Sequence, residues 1–187
     1  WNINLADLGT VATILLSATR TGLPLIPVGM DWRAYLSIPD YIASVPRHRR
    51  LLSYRHIPDS PFSRAVGRWD KRVSYRSLDG LFRSYRRAVR RRTPSLVYAY
   101  WPAYDSHCHK HGCFADKTVQ HLEQIDACLA RMTEETRKRN SLLCVLADHG
   151  LVDTPEANGI NLYDIPGFYD CLAVMPSGDA RQVACLV

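Results

Sequence analysis

Residues 142–147, Leu142-Leu143-Cys144-Val145-Leu146-Ala147, run without a charged side chain between Asn140-Ser141 and Asp148-His149-Gly150. An unbroken apolar run of strand length predicts a strand buried on both faces, of the kind found in the middle of a parallel sheet. Parallel strands need long, usually helical connections, so this stretch alone points to an α/β fold. Ligands of open α/β sheets sit outside the carboxyl ends of the strands, which puts Asp148 and His149 where chemistry is expected. A carboxylate oxygen and a neutral imidazole nitrogen together suit a divalent cation such as zinc. Neighbours on a strand point to opposite faces, so both reach one metal only if the chain leaves the pleat, a turn that Gly150 permits. Taken alone, Asp-His-Gly also fits a strand that ends in polar residues because it meets solvent.

A second strand is predicted over residues 96–101, and it opens into Pro102-Ala103-Tyr104-Asp105-Ser106-His107-Cys108-His109-Lys110-His111-Gly112. As parallel neighbours in one sheet, the two strands would bring both Asp/His clusters to one edge, within reach of a pair of metals. Between them, a helix starting near Asp116 carries the apolar stripe Val119, Leu122, Ile125, Leu129 and Met132, completing a βαβ crossover. His107, His109 and His111 alternate, so an extended chain would turn all three to one side. His121 is expected on the helix surface.

Asp105, His109 and Gly112, followed about a helix's length later by a strand ending Ala147-Asp148-His149-Gly150, resemble the type I phosphodiesterase and nucleotide pyrophosphatase branch of the alkaline phosphatase superfamily. The segment Tyr98-Ala99-Tyr100-Trp101-Pro102-Ala103-Tyr104-Asp105 is similar to its prokaryotic members. The resemblance implies a mainly parallel, alkaline phosphatase-like sheet flanked by helices. It also implies two divalent metal ions, zinc by preference, with Asp105 and His109 holding one and Asp148 and His149 the other. His107 and His111 then fall outside the ligand set. The family places a nucleophilic Thr or Ser at the start of a helix with Thr-Gly-Leu at its far end. Residues 10–19 read as such a helix before Thr21-Gly22-Leu23, and Thr10 fits the nucleophile best, with Thr13 second. A helix N-terminus would suit a phosphoryl group. The sequence departs from the family at Ala6-Asp7-Leu8-Gly9, where a Pro-Ser-Thr-like approach is usual.

The 187 residues suit one α/β domain, with residues 37–75, rich in proline, read as an irregular helix and loop insertion. Arg33, Tyr35 and Arg49 are candidate substrate contacts, and none is assigned. No apolar run reaches the ~18 residues that span a bilayer. The six cysteines form no short-domain disulfide framework, which suggests a reduced, cytoplasmic protein. Cys108 and Cys113 flank the histidines, so a structural Cys/His zinc site competes with the catalytic one. The formal charge of +6 lies mostly in Arg47-His48-Arg49-Arg50 and residues 83–92. In the second place Leu78, Leu81, Phe82, Tyr85, Ala88 and Val89 recur at helical spacing. Arg83, Arg86, Arg87, Arg90 and Arg91 therefore fall on the solvated side of a helix started by Ser77, rather than on a nucleic-acid surface.

The function expected is metal-dependent hydrolysis of a phosphodiester or nucleotide diphosphate through a phospho-threonine on Thr10. A sulfatase or phosphomutase relative is the rival among enzymes, and a metal-binding but inactive interaction module the rival outside them. The family also needs one further Asp upstream of the nucleophile and one further His downstream of Asp148-His149. The sequence supplies neither, so the chain is expected to be a central piece that holds zinc weakly and turns over little. Substrate identity and oligomeric state are not legible in it.

Overall fold

A computed structural model describes residues 2–5, 10–13, 18–19, 48–65, 67–91, 93–178 and 183–187. Two compact units emerge. One holds an antiparallel sheet of β1 (Asn2–Leu5), β2 (Thr10–Thr13) and β3 (Ala18–Thr19), together with the short helix α1 (Pro61–Ala65). Leu5 pairs with Thr10 and Asn2 with Thr13. The helix expected over residues 10–19 is therefore not formed. Thr10, Val11 and Thr13 are β-branched, and their restricted side chains favour a pleated strand over a helix. Thr10 and Thr13 consequently do not stand at a helix N-terminus. Arg33, Tyr35 and the loop around Thr21-Gly22-Leu23 lie outside the described residues.

The other unit is built on a parallel sheet of β4 (His48–Tyr54), β5 (Lys71–Tyr75) and β6 (Ser95–Tyr100), in the order β5-β4-β6. Tyr54 is paired with Tyr75, and Ser53 with Tyr100, so the three carboxyl ends share one edge. Two of these strands arise within the stretch 37–75 expected to be irregular. Strand β4 lies in the middle of the sheet, where Leu51, Leu52 and Ser53 are buried. The connection from β5 to β6 crosses β4 through helix α2 (Leu78–Val89).

Helix α2 forms as its periodicity predicts. Ser77 caps it, its side chain accepting a hydrogen bond from the Gly80 N–H, and Leu81, Tyr85 and Ala88 turn inward. Its arginines face solvent, with Arg86 and Arg90 reaching Glu135 at 3.4 and 4.0 Å. After β6 come α3 (Ala103–His111) and the long α4 (Asp116–Arg137). The core joins Leu52 and Tyr75 of the sheet to Leu81 and Tyr85 of α2 and Cys128 and Met132 of α4.

The stripe expected on α4 holds at Leu129 and Met132 but not at Val119 and Leu122, and the strand expected over residues 142–147 does not form. Helix α4 buries Thr118, His121, Cys128, Met132, Glu135 and Thr136, while Val119 and Leu122 are 42% and 47% exposed. The buried face is chosen by hydrogen bonding. Thr118 Oγ1 donates to the Gly112 carbonyl at 2.8 Å, Thr136 meets Tyr85, and Glu135 meets arginines. Residues 142–147, expected to be the central strand, join no ladder among the described residues, and β6 is the edge of its sheet. Leu143 packs against the core, but Leu142 and Leu146 are 85% and 91% exposed. An apolar run becomes a strand only where a neighbour accepts its backbone, and periodicity cannot report that neighbour. The first unit ends in the two-residue strands β7 (Ser177–Gly178) and β8 (Val183–Ala184).

Candidate functional site

The carboxyl edge of the parallel sheet is aromatic. Tyr54, Tyr75 and Trp101 close it, Trp101 stacking on Tyr75 with centroids 5.9 Å apart and meeting Tyr54 edge-on at 5.5 Å. The Tyr75 hydroxyl donates to the carbonyl of Tyr100, which fixes the end of β6. Burial, the largest cause, raises the Tyr75 pKa beyond the range in which a phenol ionises in water. From this edge the chain turns at Pro102 into α3.

Helical geometry resolves the histidine cluster. Residues four apart share a helix face, so Asp105 stands with His109 and His107 with His111. Asp105 Oδ1 lies 3.3 Å from His109 Nε2, with the two side chains about half exposed or more. The His107 and His111 rings lie 5.7 Å apart on another side of the helix. Asp105 also stands in the first turn and His109 in the last, each at the end of the helix dipole that favours its charge.

Asp148 and His149 form the second pair, His149 Nε2 lying 3.6 Å from Asp148 Oδ2. His149 Nδ1 is 2.9 Å from the Gly150 carbonyl. With Nδ1–H donating there, Nε2 keeps its lone pair on the carboxylate side, the arrangement a metal-binding imidazole needs. Gly150 has no left-handed φ, and no strand precedes it, so the turn assigned to it is not required.

One phenol connects the pairs. The Tyr100 hydroxyl is pushed up by burial first, then by the carboxylate of Asp148, then by that of Asp105. Both carboxylates therefore act on one group at the carboxyl end of β6, and Tyr100 stays protonated at neutral pH, able to donate. Among the described residues no group of three or more His, Cys, Asp or Glu side chains converges as a metal cage. The donor chemistry of each pair fits a divalent cation, and each pair supplies two donors.

The loop from α3 to α4 is held from behind. Gly112 has φ 93° and ψ 154°, a region open almost only to glycine. Asp153 Oδ1 accepts from the Cys113 N–H at 2.7 Å, and Thr118 Oγ1 donates to the Gly112 carbonyl at 2.8 Å. Burial, then Asp153 and Cys108, push the Cys113 thiol up to about 11. Among the described residues no third His, Cys, Asp or Glu side chain joins Cys108 and Cys113 in a metal-holding group, so the structural zinc alternative gains no support. His121, expected on the surface, is 8% exposed and accepts a hydrogen bond from Trp101 Nε1 at 3.0 Å.

Sequence reasoning passed over Tyr100, Trp101, His121 and Asp153. Tyr100 and Trp101 had a signal, standing last in an aromatic strand whose end carries chemistry. His121 had none, because a polar residue inside a helix pattern reads as solvated.

A family model described as type I phosphodiesterase / nucleotide pyrophosphatase matches residues 17–183. That range contains Asp105, His109, Asp148 and His149, whereas Thr10 and Thr13 precede it. No curated protein and no solved structure gives a significant match.

Proposed function

The chain belongs to the type I phosphodiesterase / nucleotide pyrophosphatase family, and from that premise we propose that it is a zinc-dependent hydrolase of phosphodiester or nucleotide diphosphate bonds. The observation that supports the proposal is that the sequence's two Asp/His sets form two close pairs, Asp105 with His109 and Asp148 with His149, with both carboxylates acting on the Tyr100 phenol.

Asp105 and His109 are the residues for one divalent cation, and Asp148 and His149 for the other. When bound, zinc supplies Lewis acidity toward the phosphoryl oxygens and the attacking and leaving groups. The rest is performed by this chain. The dipole of α3 and its one-turn spacing hold Asp105 and His109 on a common face. The Gly150 carbonyl holds the His149 ring proton on Nδ1. The protonated Tyr100 phenol offers a donor and adds no further negative charge where an anionic phosphate must approach. Thr10 attacks phosphorus, its hydroxyl proton passing to the departing ester or diphosphate oxygen, and water then releases the remaining phosphomonoester from the threonine. Support for Thr10 is the resemblance around Thr21-Gly22-Leu23, since the strand β2 removes the argument from a helix dipole. The six free thiols favour a reduced compartment, and no helix among the described residues is long and apolar enough to cross a membrane.

The test is turnover of a chromogenic aryl phosphodiester at saturating zinc. The reading expects slow hydrolysis, as two protein donors per metal imply, that a chelator abolishes, zinc restores, and Asp148→Asn and Thr10→Ala each remove. Turnover indifferent to chelator contradicts it, and zinc binding without any turnover favours the non-enzymatic interaction module.

A further inference from the structure

Helix α3 carries half of the candidate site, and apart from buried Cys108 and the Thr118 hydroxyl, which reaches the His107 and Gly112 carbonyls at 3.4 and 2.8 Å, little holds it in place. Of its residues only Cys108 is buried. Open volume adjoins it, a cavity of about 510 Å³ lined by Tyr54, Ile57, Ser106, His107 and Lys110 among others. A second cavity of about 450 Å³ touches Trp101, His121 and Gln124. A nine-residue helix beside such space can roll, and rolling would turn the face that carries Asp105 and His109.

What stands between the two cavities is a stack. The His107 ring of α3 lies on the His121 ring of α4, centroids 4.3 Å apart and planes 8° from parallel. His121 Nε2 also accepts the Trp101 indole N–H at 3.0 Å, and Trp101 is wedged against Tyr75 and Tyr54 of the sheet. An accepting Nε2 requires the ring proton on Nδ1. The indole therefore selects the tautomer of His121 and, with the stack on His107, its ring orientation.

We infer that His121 is a positioning residue for the candidate site: through the indole of Trp101 and the ring of His107 it fixes the rotation of α3, and with it the face on which Asp105 and His109 stand. This rests on the reading of Asp105 and His109 as ligands only for its consequence, not for its geometry. The sheet edge fixes Trp101, Trp101 fixes the His121 plane, and that plane offers His107 a single flat seat.

The experiment compares the full 187-residue chain with His121→Phe, which keeps a flat ring for His107 but loses the acceptor, and with His121→Gln, which keeps an acceptor for the indole. The readouts are the backbone amide resonances of Ala103–His111, the Trp101 indole N–H resonance, and zinc affinity by chelator competition. In His121→Phe the indole N–H and the α3 amides should shift, and zinc affinity should fall on the order of 10-fold, as when a group supporting a ligand is removed. His121→Gln should return the indole N–H toward wild type but, lacking the ring on which His107 sits, leave the α3 amides and zinc affinity perturbed. Equal behaviour of the two variants, or α3 amides unmoved in both, overturns the inference. Asp105→Asn separates the two claims. If it leaves zinc affinity intact, the ligand reading fails, and the α3 amide shifts alone decide the positioning role.

Discussion

Gly112→Ala is the substitution whose effect the structure fixes most closely. Gly112 sits at φ 93° and ψ 154° between α3 and α4. An L-residue held in such a region costs on the order of 1–3 kcal/mol. An added Cβ would stand 3.4 Å from Asp153 Oδ2, the near edge of ordinary contact, so backbone strain and not collision sets the magnitude. Gly150→Ala is the matched control. That glycine has no left-handed φ, and an added Cβ there meets nothing within 4 Å. Urea unfolding followed by far-ultraviolet circular dichroism should show Gly112→Ala destabilised by about 1–3 kcal/mol and Gly150→Ala changed by less than about 0.5 kcal/mol. Equal midpoints for the two variants would refute the account of how the two helices are joined.

Three further outcomes follow from the same region. Thr118 is fully buried and donates to the Gly112 carbonyl, so Thr118→Val should cost about 1–3 kcal/mol in the same urea assay, the penalty of an unmet buried acceptor. Asp153 is held below the usual carboxylate range, chiefly by the Cys113 backbone N–H. A depressed carboxylate contributes stability that is present above its unfolded pKa of ~3.9 and lost as pH falls through the lower folded value. Exchange protection of the Cys113 amide should therefore weaken at acid pH below about 4 and lose that dependence in Asp153→Asn. Exposed Cys144 should be alkylated well before Cys113, whose thiol is raised to about 11, and before buried Cys128. Mass spectrometry showing Cys144 as protected as Cys128 would restore the buried strand over residues 142–147.

What the sequence made legible is the chemistry that depends on neighbours along the chain. The cap at Ser77, the apolar face of α2, the strand at β6 and the Asp105/His109 spacing all concern residues within a few positions of each other. The errors came where distant partners decide. Strands β4 and β5 hide among prolines and arginines because their burial comes from α2, α4 and each other. The stripe on α4 rotates because Thr118, His121 and Thr136 find hydrogen-bond partners on other elements, and those partners make polar residues acceptable inside. Thr10 illustrates the remaining case. Its β-branched neighbours carried a strand signal that the resemblance to a helix-borne nucleophile outweighed, and β2 pairs with β1 instead.

The central claim is that Asp105 with His109, and Asp148 with His149, each hold a divalent metal. Isothermal titration of zinc into the chain, into Asp105→Asn, into Asp148→Asn and into the double variant tests it most directly. The account predicts that each single substitution removes or weakens one of two binding events and that the double substitution removes both. Unchanged zinc stoichiometry and affinity in both single variants would contradict it.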